Sequence, residues 1–523
     1  MSVPKVVGIE QEYAISVKGR SDMSPFHASC FLVNALARNL GLRDEGVRIL
    51  WDYGHETPYH DIRGELFRKV VGQEIVSESE NLRINAALPN GARFYTDHAH
   101  PEYSTPECLS AGDVVACDKA GEVILRRAIE LTRSALPEMQ IRLFKNNVDY
   151  QGHSYGSHEN YLMDRQAHED FLVRNPEKIV STLVPFLVTR QIFAGAGKVG
   201  SEAPETRDSL YQVSQRADYM EAVFGLETMY ARPIINTRQE HHADERRFRR
   251  LHLILGDANM CECAAFLKIG STQIVLKMIE DGFLDEDLSL KDPVKSLKQV
   301  SADFRSRLDL VDGRSLEPSD MQRKYLERAQ QFSLRKDVDH VPGIAKILHV
   351  WGSVLDGLQR LRITTDFTID EDPLDVVPKL DWLLKLWLLN RYREGKGGKW
   401  DLPALRVLDL QYHNVSGVSG IFKQLESEGL SERILTDADI DRFVSTPPPD
   451  TRAYFRGKCI ERFPREVYLI NWEVVGFDHG NVNRVIPLLD PLSGTQNHVE
   501  NLFEACENSR ELIKSIQSRA RAR

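Results

Sequence analysis

The 523-residue chain, 59.6 kDa with 42% hydrophobic and 28% charged residues, can bury one large core and a smaller one, and is too apolar for a disordered, collagen-like or disulfide-stapled protein. Its formal net charge of -10 and pI near 5.9 argue against general binding to a phosphate backbone, which needs clustered uncompensated Lys and Arg, so nucleic acid is not an expected partner. Seven cysteines without a CxxC pair fit a reducing cytoplasm, and with neither a basic-then-apolar leader nor a long apolar run, no membrane partner is expected.

Ile9, Gln11, Tyr13 and Ile15 alternate with Glu10, Glu12 and Ala14, which predicts a strand over residues 5–16 with both glutamates on one face. A helix is expected over residues 25–40. The stretch from there through Trp51-Asp52-Tyr53 to Asn90-Gly91 shows no sustained period, as in a functional or disordered loop, and its part from about residue 42 to 85 is expected to be mobile without a bound partner. Strand patterns resume at residues 93–97, 141–147, 157–163, 233–238 and 251–255, separated by helical stretches at 113–136 and 261–280. The expected class is α+β, built on a largely antiparallel sheet. Beyond Glu317 apolar residues recur at helical spacing over 321–332, 344–361 and 376–389, and these helices are expected to cover the second face of the sheet. Thr446-Pro447-Pro448-Pro449-Asp450 cannot continue a helix and divides the chain into a large domain, 1–445, and a small one, 446–523.

Alternate strand residues lie roughly 6.5–7 Å apart, so Glu10 and Glu12 can hold adjacent hard cations from one rigid edge. Two charges on a solvated strand give the same pattern. The reading gains weight because similar groups recur at other strand ends: Tyr95, Asp97, His98, His100 and Glu102; His158, Glu159 and Asn160; His241, His242 and Asp244. Carboxylates and imidazoles converging from several strands can neutralise Mg²⁺ on phosphates, with Arg93, Arg216, Arg249 and Arg250 as candidate phosphate clamps. Gly195-Ala196-Gly197-Lys198-Val199 is not a P-loop, because Ile192 takes the first glycine position and Val199 replaces the Mg²⁺-binding hydroxyl; a tight turn is expected there.

Several blocks resemble one family. They are Gly8-Ile9-Glu10-Gln11-Glu12-Tyr13, Asn90-Gly91-Ala92-Arg93-Phe94-Tyr95, Asp97-His98-Ala99-His100-Pro101-Glu102-Tyr103-Ser104, Ser154-Tyr155-Gly156-Ser157-His158-Glu159-Asn160-Tyr161, Ile235-Asn236-Thr237-Arg238 and Gly256-Asp257-Ala258-Asn259. They are similar to the motifs of the Pup ligase and depupylase family, which attaches or removes the prokaryotic ubiquitin-like protein Pup. Trp51-Asp52-Tyr53, Thr57-Pro58 and Asp61-Ile62-Arg63-Gly64 resemble the insertion of its depupylase members, placed within residues 41–90. The length of the Asp97–Glu102 motif and Thr451-Arg452-Ala453-Tyr454-Phe455-Arg456-Gly457 also look depupylase-like. Gln239-Glu240-His241-His242 departs from the usual Asp-Glu-Pro-His, and alignment favours His242 as the residue that faces the metal.

The resemblance implies a glutamine-synthetase-like large domain with a concave sheet, and a hydrolase that cleaves the isopeptide bond between Pup and substrate lysines and deamidates a C-terminal Gln of Pup. ATP, or ADP with phosphate, and Mg²⁺ are the implied cofactors. Pup and pupylated proteins are the implied partners, with the proteasomal ATPase pathway beyond them. Glu10, Tyr95, Glu102, His158 and His242 are the implied metal ligands. Gly8, Glu12, Arg93, Thr105, Arg250 and Trp472 are the implied nucleotide contacts, Trp472 offering a flat face for adenine. Asp97 is the expected catalytic residue, as nucleophile or as base. A basic groove for the acidic Pup is expected among Arg216, Arg238, Arg246, Arg247, Arg249 and Arg250. A Pup ligase acting through a γ-glutamyl phosphate, or a silent Pup-binding relative, are the alternatives.

Overall fold

Alternation of burial along single strands sets the architecture. In Val7–Glu12 the side chains of Val7, Ile9 and Gln11 are buried, while Gly8, Glu10 and Glu12 on the other face are half-buried. A computed structural model describes residues 2–20, 22–44, 46–54, 56, 60–63, 76–206, 208–370, 375–417, 420–480 and 483–521. Its main sheet has eight strands in the order Met220–Gly225, Arg232–Asn236, Phe248–Leu253, Ser157–Asp164, Val7–Glu12, His100–Ser104, Arg93–Asp97 and Asn85–Ala87. Every neighbouring pair is antiparallel except the first. This is the expected α+β class.

Register sorts the sheet into two faces. Val7, Ile9, Phe94, Tyr103, Tyr161, Met163, Leu251 and Leu253 point to the core, where each large apolar side chain stabilises by about 1.5–3 kcal/mol. Helices Pro25–Asn39, Ala111–Ala135 and Glu262–Glu280 pack directly on that face. Glu262–Glu280 is apolar nearly all round and buried along almost its whole length, as a helix enclosed on every side should be. The later helices were expected on the sheet itself. Instead Pro318–Ser333 and Ile344–Arg360 pack onto Glu262–Glu280 and form an outer layer, because the three earlier helices already fill the face.

Other expectations need correction. The first strand ends at Glu12: the Tyr13 amide bonds to the Pro101 carbonyl, and Ala14–Lys18 turns away to pair with Gln140–Phe144 in a separate two-stranded sheet. His100–Ser104 is a full strand, reached from Arg93–Asp97 by a two-residue turn in which His98 takes φ of 51°. Its proline and crowded charges hid the period. Residues 41–90 are not irregular throughout. Leu50–Trp51 is a strand, and Glu78–Ile84 is a helix opened by a Ser77/Glu80 capping box. Thr57, Pro58 and Gly64 lie outside the described residues.

Helix Asp437–Ser445 stops before the proline run, and Ala453–Arg462 begins beyond it. A four-stranded sheet follows in the order Asn483–Pro487, Val474–Asp478, Val467–Ile470 and Leu50–Trp51, the last pair parallel. No helix among the described residues is long and apolar enough to cross a membrane.

Candidate functional site

The face of the main sheet away from the helices carries the polar set. Pairing places Glu10 opposite His158 and Ser104, Glu12 opposite Glu102, Tyr95 opposite Glu102, and Asp97 opposite His100. Asn160 lies between Gly8 and His252. Period-two alternation on five adjacent strands therefore gathers Gly8, Glu10, Glu12, Tyr95, Asp97, Glu102, His158, Arg250 and His252 on one surface.

Two groups of potential ligands form there. Glu12, Asp97 and Glu102 each bring a carboxylate oxygen within 4.8 Å of the others, and Glu10, His158 and His252 do the same with one oxygen and two ring nitrogens. His158 Nδ1 lies 3.2 Å from Glu10 Oε2, and the Asn160 amide donates to Glu10 Oε1 at 3.0 Å. Arg250 donates to Asn160 Oδ1 and to the Glu240 carboxylate, and stands 3.9 Å from Glu10. Burial disfavours the charge on Glu10, but the His158 hydrogen bond and the neighbouring positive groups overcome it and hold the carboxyl below its usual range. Glu12 is similarly drawn down to about 2, against burial, by His100 and His158.

Glu102 goes the other way. It is 2% exposed, and burial together with the charges of Asp97, Glu12 and Glu10 pushes its carboxyl well above the usual range. A hydrogen bond from Tyr95 opposes this. So much uncompensated negative charge suits a divalent cation. Gly156 keeps the space open: a Cβ there would come within 2.4 Å of His158 Nε2 and 2.7 Å of Glu12 Oε1.

Asp97 ends its strand with its side chain 41% exposed, its Oδ2 3.1 Å from His98 Nδ1. That hydrogen bond and the Asp97 charge raise His98 to about 9. Arg216 is buried and ends on carbonyls of Tyr155 and Ile254 and on Ser154 Oγ rather than on a carboxylate. Burial and the nearby Arg232 lower its guanidinium to about 10.

Beside these groups lies a cavity open to solvent and lined by Gly8, Glu10, Thr105, Asn160, His241, His242, Arg250, Arg452 and Trp472, among others. Its floor is fixed by the bond from the Ile9 amide to Thr105 Oγ1 at 2.9 Å. Glu107 holds the opposite wall, paired with Arg452 at 2.8 Å and with Arg456. Arg452 also donates to the His242 carbonyl, and Arg456 stands 4.9 Å over the Trp472 ring.

The structure therefore brings Gly8, Glu10, Thr105, Arg250, His242 and Trp472 to one cavity, and Glu12, Tyr95, Asp97, Glu102 and His158 to the adjoining carboxylate surface. His242 lines the cavity but belongs to neither ligand group among the described residues. Arg93 does not line it. Its guanidinium bonds Asn85 Oδ1 and stacks on Trp51 and Tyr95 at 4.1 and 3.8 Å. Arg249 is corrected outright: it points to the opposite face and pairs with Glu169. Arg246 and Arg247 pair at the surface with Asp244 and Asp490, while Arg238 bonds the Leu226 carbonyl, so the six arginines do not line one groove. The glycine-rich stretch, expected as a tight turn, is instead extended at Gly195 and leads into the strand Lys198–Val199, which pairs with Tyr211–Gln212. Gly197 has φ of 72°, any Cβ there would strike the Tyr211 hydroxyl, and Lys198 is buried on Asp218. His252 was missed by sequence reading, although it stands two residues after Arg250 and so must share its face.

The model of the Pup-ligase protein family matches residues 5–476. The chain belongs to that family. It is 41% identical over 521 residues to a depupylase of Acidothermus cellulolyticus, covering 98% of this chain and 99% of the relative. It is 40% identical over 525 residues to a Pup deamidase/depupylase of Mycobacterium tuberculosis, covering 99% and 100%. Among solved structures, the complex of Pup with its ligase PafA is similar with a TM-score of 0.75 at 29% identity, covering 96% of this chain and 91% of that one. The ligase PafA in complex with ADP gives 0.68 at 34% identity, covering 80% and 89%.

Proposed function

We propose that this member of the family is a depupylase: it hydrolyses the isopeptide bond between the C-terminal residue of Pup and a substrate lysine, deamidates a C-terminal Gln of Pup, and uses a magnesium-bound adenine nucleotide as cofactor. The observation that carries the reading is Asp97, a half-exposed carboxylate set beside the half-buried Glu12 and the buried Glu102 and one strand from the cavity lined by Arg250 and Trp472. Whole-length similarity to proteins named depupylases favours hydrolysis over ligation.

Gly8, Thr105, Arg250, His242 and Trp472 would hold the nucleotide, and Glu10, Glu12, Tyr95, Glu102 and His158 would hold divalent cations, Mg²⁺ among them. Bound there, the ion supplies positive charge for the oxyanion that develops at the scissile carbonyl. Asp97 supplies the attack, directly or by taking a proton from water, and the His98 ring at its side orients it. Arg216, with no carboxylate paired to it among the described residues, leaves positive charge beside Glu12 for an anionic group of the substrate or cofactor. Pupylated proteins are the substrates on this reading, and the cytoplasm is its compartment.

Incubating the chain with a Pup conjugate, Mg²⁺ and ATP or a non-hydrolysable analogue should release free substrate protein. Net formation of conjugates without release would favour the ligase, and neither activity would overturn the enzymatic reading.

A further inference from the structure

The two ligand groups on the open face differ in donor chemistry. Glu12, Asp97 and Glu102 offer oxygen alone, whereas Glu10, His158 and His252 offer one carboxylate and two imidazoles. Mg²⁺ prefers near-octahedral oxygen ligation and parts from its waters reluctantly; imidazole suits first-row transition ions.

His252 has no other employment. It is 4% exposed, yet neither ring nitrogen has a hydrogen-bond partner among the described residues, a condition that costs a buried polar group about 1–3 kcal/mol. Its Nε2 is aimed at Glu10 Oε2 at 3.9 Å, and its ring stands edge-on to that of His158 with centroids 5.2 Å apart. The Glu10 oxygen therefore faces a nitrogen of each ring.

We propose that the Glu10, His158 and His252 site selects a first-row transition ion over Mg²⁺, with His252 as ligand, while Glu12 and Glu102 of the all-oxygen group take Mg²⁺, so that the chain holds two unlike ions. The inference rests on reading this surface as a metal and nucleotide centre. Mn²⁺ is the probe. Chelator-treated full-length chain is titrated with Mn²⁺ in roughly a hundredfold excess of Mg²⁺, and electron paramagnetic resonance counts the retained ion and reads its nitrogen ligands through spin-echo modulation.

One retained Mn²⁺ per chain coupled to two ring nitrogens is the expected result. His252→Gln should lose one of those couplings and the resistance to Mg²⁺. Wild-type spectra carry the test even if that variant folds poorly. Complete displacement of Mn²⁺ by Mg²⁺, or retained Mn²⁺ without nitrogen coupling, overturns the selectivity alone. Failure to bind either ion overturns it together with the metal and nucleotide reading.

Discussion

Glu159 and Glu102 are buried glutamates of one sheet on opposite faces, in opposite surroundings. On the helix-covered side Glu159 receives Arg190 at 2.6 and 2.9 Å and the Tyr161 hydroxyl at 2.7 Å, which together hold its carboxyl below the usual range against the pull of burial. Lys145, set between Asp118 and Glu122, repeats the pattern. Glu102 faces three other carboxylates and is pushed up instead. Charge beneath the helices is balanced by the protein, and charge on the open face awaits a partner.

The largest effect should come from breaking the balanced side. Glu159→Gln leaves the Arg190 guanidinium buried and unneutralised and should cost about 3–5 kcal/mol in denaturant unfolding. A variant as stable as the parent would remove the contrast. Asp97→Asn should lower cleavage by about three orders of magnitude while nucleotide affinity stays within a few-fold, since an amide neither attacks nor accepts a proton at neutral pH. Substantial residual turnover would take Asp97 out of its role.

Glu107 tests the wall between the two regions. Burial would raise its carboxyl, yet Arg456 and Arg452 bring it down to about 2. A depressed carboxyl stabilises fully above its unfolded value near 4.5 and loses that contribution as pH falls towards 2. The advantage of the parent over Glu107→Gln, about 2–3 kcal/mol at neutral pH, should therefore shrink steadily between pH 4.5 and 2. A pH-independent gap would mean that the pair acts by packing alone.

Glu102→Gln should act with the opposite sign to Glu159→Gln. It relieves repulsion and should raise metal-free stability at neutral pH, while shrinking the gain in melting temperature given by Mg²⁺. A metal-free variant less stable than the metal-free parent would show that Glu102 has a compensating partner. The smallest effect belongs to Arg246→Ala. Its side chain is 79% exposed beside Asp244, so stability and turnover should change by no more than about 0.5 kcal/mol.

The open face was legible in sequence because period two survives insertion and loop length. Glu10 with Glu12, and Tyr95 with Asp97, announce a shared face before any fold is known. His252 was equally readable from Arg250, but an isolated imidazole in an apolar strand resembles a packed core residue. Arg249 illustrates the converse: one residue along a strand inverts the face, so a run of arginines cannot all serve one anion. The outer position of the later helices was hidden, because their periodicity names an apolar face without naming what covers it. Leu50–Trp51 was hidden too, since a two-residue strand has no period.

That short strand also fixes an order of assembly. Asp52 and Asn471, hydrogen-bonded across it, are 419 positions apart, and Trp472 beyond them packs edge-on against Trp51 at 5.1 Å. During synthesis the ribosome must deliver nearly the whole chain before Trp51 meets its neighbour. Until then the early segment keeps an unpaired edge that invites wrong pairing. Fragments that stop short of the Val467–Ile470 strand should therefore depend on chaperones, and the cavity wall carrying Trp472 should be the last part of the molecule to close.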